Sequence, residues 1–585
     1  MKRALCLLLL SPLAAEDLLF YHCSDTHVPV AGTAGTVAEM AKFTGGEPAF
    51  VVVTGDLTEF GGGDGAWEKY LALWKPFPMP VYSALGNHDE TWWVLRPEIA
   101  ARHGAPWYSW DAEGCHFVVL DSAGPQDPRP TFAPEELAWL REDLARVTDG
   151  DPVFIAFHHP LSSGEFASPR DPGRLIEVVK DDNVVAFLVG HGHVARHEVW
   201  RGYDMIEGGS TFGKDAGWNV CRVHQGSFSV TYRETDGEER LLIEKRMTPM
   251  KREAAPIEPI PEGTRKALWA ARVPSAVRAA PLAIGDQVVI VGTNGRIWRF
   301  DARSGRPLGE ERYPGEVFGT PAVDGKALVI AGTAGLWRGG EPTRDRVYVA
   351  PPVLREGRVY VGARDGTFVC ADAKTLETLW TFEAGHTIES AAGLQGLNVV
   401  FGAWDERVYC LDPTDGGLYW AMKGAGSRVE KAPSYYSPAD APTVFFGDHV
   451  YAADRSFRLG IFECVHGKLV ATVEDVVAVA ADAEEILYLR RPKAGLSRMR
   501  WTGQIEWTSE ARTGRTPVPP TVAGGRVYVT SDDGLLQSVD TADGRVLWTC
   551  VAGDGAYVMA PVTTSGGLVF TAAMDGTVVC VEEDR

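Results

Sequence analysis

Short apolar runs along the first 200 residues alternate with clusters rich in Asp, His and Asn. Leu18-Leu19-Phe20-Tyr21 leads to Asp25-Thr26-His27, and Phe50-Val51-Val52-Val53 leads to Gly55-Asp56. The run 81–85 leads to Gly86-Asn87-His88-Asp89. Val153-Phe154-Ile155-Ala156-Phe157 leads to His158-His159-Pro160, and the run 184–189 leads to Gly190-His191-Gly192-His193. Continuous β-branched runs of this length predict strands buried on both faces. Ligand sites in open α/β sheets lie just beyond the carboxyl ends of such strands. If the strands share one sheet, all five clusters gather on one rim. They then supply two Asp, one Asn and at least four His, enough for two hard-to-borderline divalent metals.

From about residue 266 the pattern changes to short strands, Gly turns and regularly placed Trp. Val291-Gly292-Thr293-Asn294-Gly295, Val361-Gly362-Ala363-Arg364-Asp365-Gly366, Thr530-Ser531-Asp532-Asp533-Gly534 and Thr571-Ala572-Ala573-Met574-Asp575-Gly576 align with one another. Weaker copies stand at Ala331-Gly332, Phe401-Gly402, Phe446-Gly447 and Leu487. Several lead to an Asp-containing turn and an aromatic strand, as at Leu379-Trp380, Tyr419-Trp420, Glu506-Trp507 and Leu547-Trp548. A period of roughly 40 residues built from strands and hairpins predicts a β-propeller. The eight phrases predict eight blades, or seven if one degenerate copy is not a blade. The last phrase lacks its Trp strand, and an unpaired Leu268-Trp269 opens the region. That strand is expected to complete the last blade and close the ring, leaving no free sheet edge.

A chain of 585 residues is too long for one core. The boundaries read from the sequence are a signal peptide at 1–15, an α/β domain at 16–248, a Pro-rich linker at 249–265 and a propeller at 266–585. Lys+Arg 57 against Asp+Glu 78 gives a net charge of −21, which argues against duplex nucleic acid as a partner. Met1-Lys2-Arg3, a short apolar stretch and the small residues Ala14-Ala15 have the build of a secretory signal, so the protein is expected to be exported. Leu13 or Pro12 at the −3 position makes the cleavage site imperfect, and if the segment is not a signal the protein would be cytoplasmic. The apolar stretch is too short to span a bilayer, and no other transmembrane segment is visible. The nine cysteines show no disulfide framework, and Cys370, Cys410 and Cys580 fall at equivalent repeat positions as small core residues.

The five N-terminal blocks resemble, in order, the pattern of the calcineurin-like metallophosphoesterases: D-x-H, G-D, G-N-H-[DE], H and G-H-x-H. The resemblance covers roughly residues 17–245. It implies one metal on Asp25, His27, Asp56 and His193, and a second on Asp56, Asn87, His158 and His191, with Asp56 bridging. The cofactors would be two divalent ions, Mn, Fe or Zn. The substrate would be a small phosphate ester, a diester or a monoester, attacked by a water that the metals activate. His88 would face the phosphate, steadying charge or protonating the leaving alkoxide. Asp89 is either the partner that orients His88 or a turn residue. Pro160 sets the register that makes His158 the ligand and leaves His159 as a supporting donor or an ordinary loop histidine. His22, His103, His116, His197 and His224 have no such context, and Gly61-Gly62-Gly63-Asp64-Gly65 lacks the ending of a P-loop and reads as a flexible lip. Purple acid phosphatases carry G-D-x-x-Y, whereas Glu59 occupies the Tyr position here, so the chain looks more like the phosphodiesterase-type branch.

The second half resembles the quinoprotein-like (PQQ-repeat) propellers. No Cys-Cys pair is present, so PQQ is not expected. A binding or scaffolding surface for a protein or polymer ligand is the expected role. Trp92-Trp93, Trp107, Tyr108 and Trp110 would either wall the catalytic cleft or pack beneath loops. The leading expectation is an exported dimetal phosphoesterase with a supporting propeller. The alternatives are a propeller-led binding protein with a vestigial phosphoesterase domain, and a quinone-dependent oxidoreductase, which lacks its cofactor residues.

Overall fold

The computed structural model describes residues 17–249 and 261–583, apart from 60–64, 125, 127, 128, 167, 169, 483–485 and 554. The signal-like segment 1–15, the glycine-rich lip at 61–64 and the linker residues 250–260 lie outside the described residues. The chain divides into two compact units, one built mainly from residues up to Ile257 and the other mainly from Glu258–Arg585.

The first unit contains twelve described strands: β1 (Leu18–Cys23), β2 (Val51–Thr54), β3 (Val81–Ala84), β4 (Tyr108–Ala112), β5 (Cys115–Val119), β6 (Val153–Ala156), β7 (Val184–Val189), β8 (His197–Trp200), β9 (Tyr203–Glu207), β10 (Gly217–His224), β11 (Ser227–Glu234) and β12 (Glu239–Arg246). They form two six-stranded sheets, so the five clusters are not carried by one sheet, in the orders β12-β11-β10-β1-β2-β3 and β4-β5-β6-β7-β9-β8. The apolar runs mark buried strands but do not specify which strand pairs with which. The motif-bearing strands are parallel to their neighbours, β1 to β2 to β3 in one sheet and β5 to β6 to β7 in the other. Facing aromatic side chains join the sheets into a sandwich. Phe20 of β1 packs on Phe117 of β5 and Phe154 of β6, with ring centroids 5.3 and 5.9 Å apart, and Phe228 of β11 meets Phe154 at 5.0 Å. Helices Thr33–Lys42 and Ala66–Leu73 add Val37, Met40 and Tyr70 to the core of the first sheet. Helices Pro134–Leu144 and Asp171–Val179 add Leu137, Leu140, Leu175 and Ile176 to the core of the second.

The second unit is an eight-bladed propeller, with seven four-stranded sheets and one of three strands. The expected closure is present. Strand β13 (Trp269–Arg272) pairs antiparallel with the last strand, Thr577–Glu582, in the register Trp269↔Cys580, so both ends of the repeat share one blade. Neighbouring blades are joined by a recurring contact between an indole and a glycine. Trp269 donates Nε1–H to the Ala302 carbonyl of the next blade at 3.0 Å, Trp380 to Pro413 at 3.2 Å, Trp420 to Cys464 at 2.8 Å and Trp507 to Thr541 at 3.0 Å. Each ring lies over a glycine of the same turn. A Cβ on Gly305 would come within 2.6 Å of Trp269, and one on Gly416 within 2.6 Å of Trp380. Both glycines also adopt left-handed φ, 68° and 78°, so glycine is required there on two counts.

The departures from the repeat agree with this contact. The three-stranded blade (Ala322–Asp324, Ala327–Gly332, Gly335–Trp337) has no outer strand to carry a Trp, and the following turn holds Leu376 where the others hold glycine. Arg338 donates instead to the Ala373 carbonyl at 3.1 Å. The same contact predicts the weight of the closing joint. Trp269→Ala should cost about 2 kcal/mol for a half-buried indole and its hydrogen bond, lowering the propeller's melting transition by a few degrees. Gly305→Ala should shift it in the same direction. Calorimetry of the full chain checks this, and unchanged transitions in both variants would remove the joint from the ring's stability.

Candidate metal centre

The five predicted clusters converge across the sandwich. Asp25 and His27 follow β1, Asp56 follows β2, Asn87 and His88 follow β3, His158 follows β6, and His191 and His193 follow β7. Asp25, His27, Asp56 and His193 form one group whose donor atoms all lie within 4.8 Å of one another. His193 Nε2 is 3.1 Å from Asp25 Oδ1, and His27 Nε2 is 3.6 Å from the same oxygen and 3.4 Å from Asp56 Oδ2. On the other side of Asp56, His158 Nε2 is 3.3 Å from Oδ2 and 3.2 Å from Asn87 Oδ1. His191 Nδ1 is 3.1 Å from Asn87 Oδ1 and 3.3 Å from His158 Nε2. All seven predicted ligand residues are thus brought together, and Asp56 Oδ2 is close to both sets.

Local backbone strain aims these side chains. Asp25, His27, Asp56, His191 and His193 have φ of 53°, 41°, 49°, 73° and 56°, in the left-handed region that non-glycine residues seldom adopt. Two motif glycines are needed for close approach. A Cβ on Gly86 would lie 2.2 Å from Asp56 Oδ1, and one on Gly55 would lie 2.5 Å from His158 Nδ1.

The distal nitrogens of three imidazoles are held by outer partners. His27 Nδ1 lies 2.5 Å from Glu59 Oε2, His158 Nδ1 lies 2.7 Å from the Thr54 carbonyl, and His191 Nε2 lies 2.7 Å from Glu165 Oε2. Such partners fix the tautomer and aim the free nitrogen at a metal position. The sequence reading gave no role to Glu59 or Glu165. The Glu59 signal was visible, since it sits three residues after Asp56, whereas Glu165 stands in a loop without motif spacing.

Of the two roles open to Asp89, partner of His88 and turn residue, its bonds match the second. Its Oδ1 accepts from Thr58 N and Thr58 Oγ1, and its Oδ2 accepts from Leu57 N and Gly86 N. Those bonds tie the turn after Asp56 to the turn before Asn87, so Asp89 is a brace between loops and not the partner that orients the His88 ring. Burial, and then the charge of Asp56, raise its carboxyl to about 7. His88 Nε2 lies 4.0 Å from Asp56 Oδ2, and its backbone N–H donates to Asp56 Oδ1 at 2.9 Å. Trp92 is buried edge-on against the His88 ring, 4.7 Å between centroids, while Trp110 stacks on Tyr82 at 3.6 Å. Trp110 thus packs against the core of the first sheet, while Trp92 lies against His88 beside the donor cluster. His159 is buried and bonds to Ser122 Oγ at 2.9 Å, His22 to Thr54 Oγ1 at 3.0 Å, and His116 to Asp143 at 3.0 Å.

The donor set fits divalent cations. Asp25 Oδ1 and His27 Nε2 are buried and make no hydrogen bond, although polar atoms crowd around both. Lone pairs that converge without hydrogen-bond geometry leave a place for a positive ion. The charges lead to the same conclusion. Burial alone would raise the Asp56 carboxyl, but His158, His88 and His27 hold it well below the usual range. Burial opposes a proton on His27, yet Asp25 and Glu59 push it up to about 11; against the same opposition, Asp56 pushes His158 up to about 9. The carboxylates that favour a positively charged imidazole here would equally favour a cation, which has to displace those protons to bind. Because Gly86 gives Asp56 its room, Gly86→Ala should displace that carboxylate and reduce the metal content of the purified chain with every proposed ligand intact. Elemental analysis decides it, and a full metal complement in Gly86→Ala would show that the contact does not matter.

Residues 18–195 match the family model of the calcineurin-like phosphoesterases. Residues 262–340 and 473–584 match the model described as outer membrane protein assembly factor BamB. A probable cyclic nucleotide phosphodiesterase of Rhodococcus erythropolis is 28% identical over 212 residues, covering 32% of this chain and 69% of its own. A cAMP/cGMP dual specificity phosphodiesterase of Mycobacterium tuberculosis is 26% identical over 247 residues, covering 36% and 76%. The outer membrane protein assembly factor BamB of Bordetella pertussis is 23% identical over 327 residues, covering 52% and 83%. With its donor cluster and closed ring of blades, the chain joins a calcineurin-like metallophosphoesterase domain, a metal-dependent phosphoric ester hydrolase, to a PQQ-repeat β-propeller.

Proposed function

We propose that the first unit hydrolyses phosphodiesters at a dimetal centre, with cyclic nucleotides as the substrate class. The observation that carries this reading is the position of Asp56 Oδ2, 3.4 Å from His27 Nε2 and 3.3 Å from His158 Nε2, between two donor sets. Asp25, His27, Asp56 and His193 would hold one cation, and Asp56, Asn87, His158 and His191 the other. Imidazole and carboxylate donors suit Mn, Fe or Zn. When bound, the pair supplies Lewis acidity toward the phosphate and lowers the pKa of a shared water. The choice of cyclic nucleotides rests on the Rhodococcus and Mycobacterium relatives, which are named as cyclic nucleotide phosphodiesterases.

The protein's own groups do the rest. Asp56 and Asn87 fix the spacing of the two positions, while Glu59, Thr54 and Glu165 hold the imidazoles in register. His88 is 16% exposed at the mouth, beside the shared carboxylate, where it can steady charge on the phosphate or donate a proton to the leaving oxygen. The propeller serves as a binding or support surface for a protein or polymer ligand. Its similarity to an outer membrane assembly factor and the signal-like N-terminus support export. No described helix is long and apolar enough to cross a membrane.

The test is His88→Ala on metal-loaded protein with bis(p-nitrophenyl) phosphate and 3′,5′-cyclic AMP. The variant should keep its metals and lose about 10²–10⁴-fold in rate, as expected for a missing acid or charge stabiliser. Loss of metal would make His88 a ligand. A wild-type chain with both metals and no diesterase activity would overturn the proposed function.

A further inference from the structure

We infer that Phe212 is the wall on which the flat ring of the substrate stacks, the nucleobase of a cyclic nucleotide; this rests on the dimetal phosphoesterase reading. Phe212 stands in the loop between β9 and β10 and belongs to neither apolar core of the first unit. Its ring lies instead against two imidazoles of one donor set. The centroid is 5.3 Å from that of His27, at 80°, and 5.3 Å from that of His193, at 83°. Among the described residues these are its aromatic contacts. Phe212 is only half-buried, whereas Trp92, the ring beside His88, is buried. A phenyl ring placed outside the core, partly in water and beside polar donors, gains little for the fold and leaves apolar surface for a ligand.

The loop holds this ring in place before any ligand arrives. Thr211 donates both its backbone N–H and its hydroxyl toward the Asp25 carbonyl, each at 3.4 Å, and its Oγ1 lies 3.1 Å from Thr33 Oγ1. Ser210 Oγ donates to the Phe212 carbonyl at 2.7 Å, and the Tyr232 hydroxyl donates to the Asp215 carbonyl at 2.7 Å. The loop that carries Phe212 is therefore bonded to the turn that carries a donor, Asp25. The ring adjoins the donor set without being part of it, which is where a base one ribose away from phosphorus can reach. Every base has a π face and a phenyl ring has no hydrogen-bonding group, so Phe212 selects for a base without choosing between adenine and guanine. Stacking of one base on an aromatic side chain is worth about five- to a hundredfold in affinity.

The other role open to Phe212 is to shield the two imidazoles, and substrates with and without a base separate the two. The experiment compares metal-loaded full-length protein with Phe212→Ala and Phe212→Tyr. One readout is kcat/KM for 3′,5′-cyclic AMP against the base-free methyl ribofuranoside 3′,5′-cyclic phosphate. The other is binding of adenosine 5′-monophosphate against ribose 5-phosphate by calorimetry, with metal content measured alongside. Wild type and Phe212→Tyr should favour the base-bearing member of each pair. Phe212→Ala should retain metal and reduce both ratios by about five- to a hundredfold, the first mainly through KM. If Phe212→Ala loses metal, or lowers both members of each pair alike, Phe212 shields imidazoles and the stacking role is wrong. A wild type that cleaves cyclic AMP yet binds the two monophosphates equally would also overturn it. A wild type that prefers adenosine 5′-monophosphate but cleaves neither diester would support the stacking wall and remove the hydrolase reading beneath it.

Discussion

One carboxylate oxygen, Asp56 Oδ2, lies between two sets of donor residues, and in the proposed centre the first unit has to bring both sets to it. Its nearest imidazole nitrogens come from different sheets: His27 after β1 at 3.4 Å and His158 after β6 at 3.3 Å. The two sheets must therefore meet at the ends of their parallel strands, and the facing Phe20, Phe117 and Phe154 rings hold them there. The turns after the strands must also redirect their side chains abruptly, which accounts for left-handed φ at five of the seven donor residues. Each such residue costs on the order of 1 kcal/mol, and binding of a cation would offset that cost. Asp89 contributes by tying two of these turns together through four hydrogen bonds.

The donor residues were legible in the sequence because each follows directly on a strand, and a strand's carboxyl end is where the chain can turn into a site. What supports them was less legible. The sequence placed Asp89 as readily beside His88 as in a turn, and only the folded loops show its four donors. Glu165 is 26 residues from the histidine it touches, and no periodicity joins them. The split into two sheets was also hidden. A run such as Val184–Val189, buried throughout, states that a strand lies inside but not which strand lies beside it. Strand β11, with alternating burial, is a strand covered on one face only, and it lies on the antiparallel side of its sheet.

In the propeller, repetition made both the fold and its closure readable, and the contact between indole and glycine gives the reason. A Trp on an outer strand and a Gly in the next turn are two halves of one contact, so they occur together as Trp269 with Gly305 and Trp380 with Gly416. Where the outer strand is missing, the glycine is replaced by Leu376. The degenerate phrases therefore still correspond to blades, held by other contacts such as Arg338 with Ala373.

The most direct measurement is the metal content of the purified full-length chain beside Asp56→Asn, by elemental analysis after loading with Mn, Fe or Zn. Two ions per wild-type chain, with both weakened together in the variant, is the result expected of a shared carboxylate. Two ions retained in Asp56→Asn, or a single ion in the wild type, would contradict the bridging role on which the proposed chemistry depends.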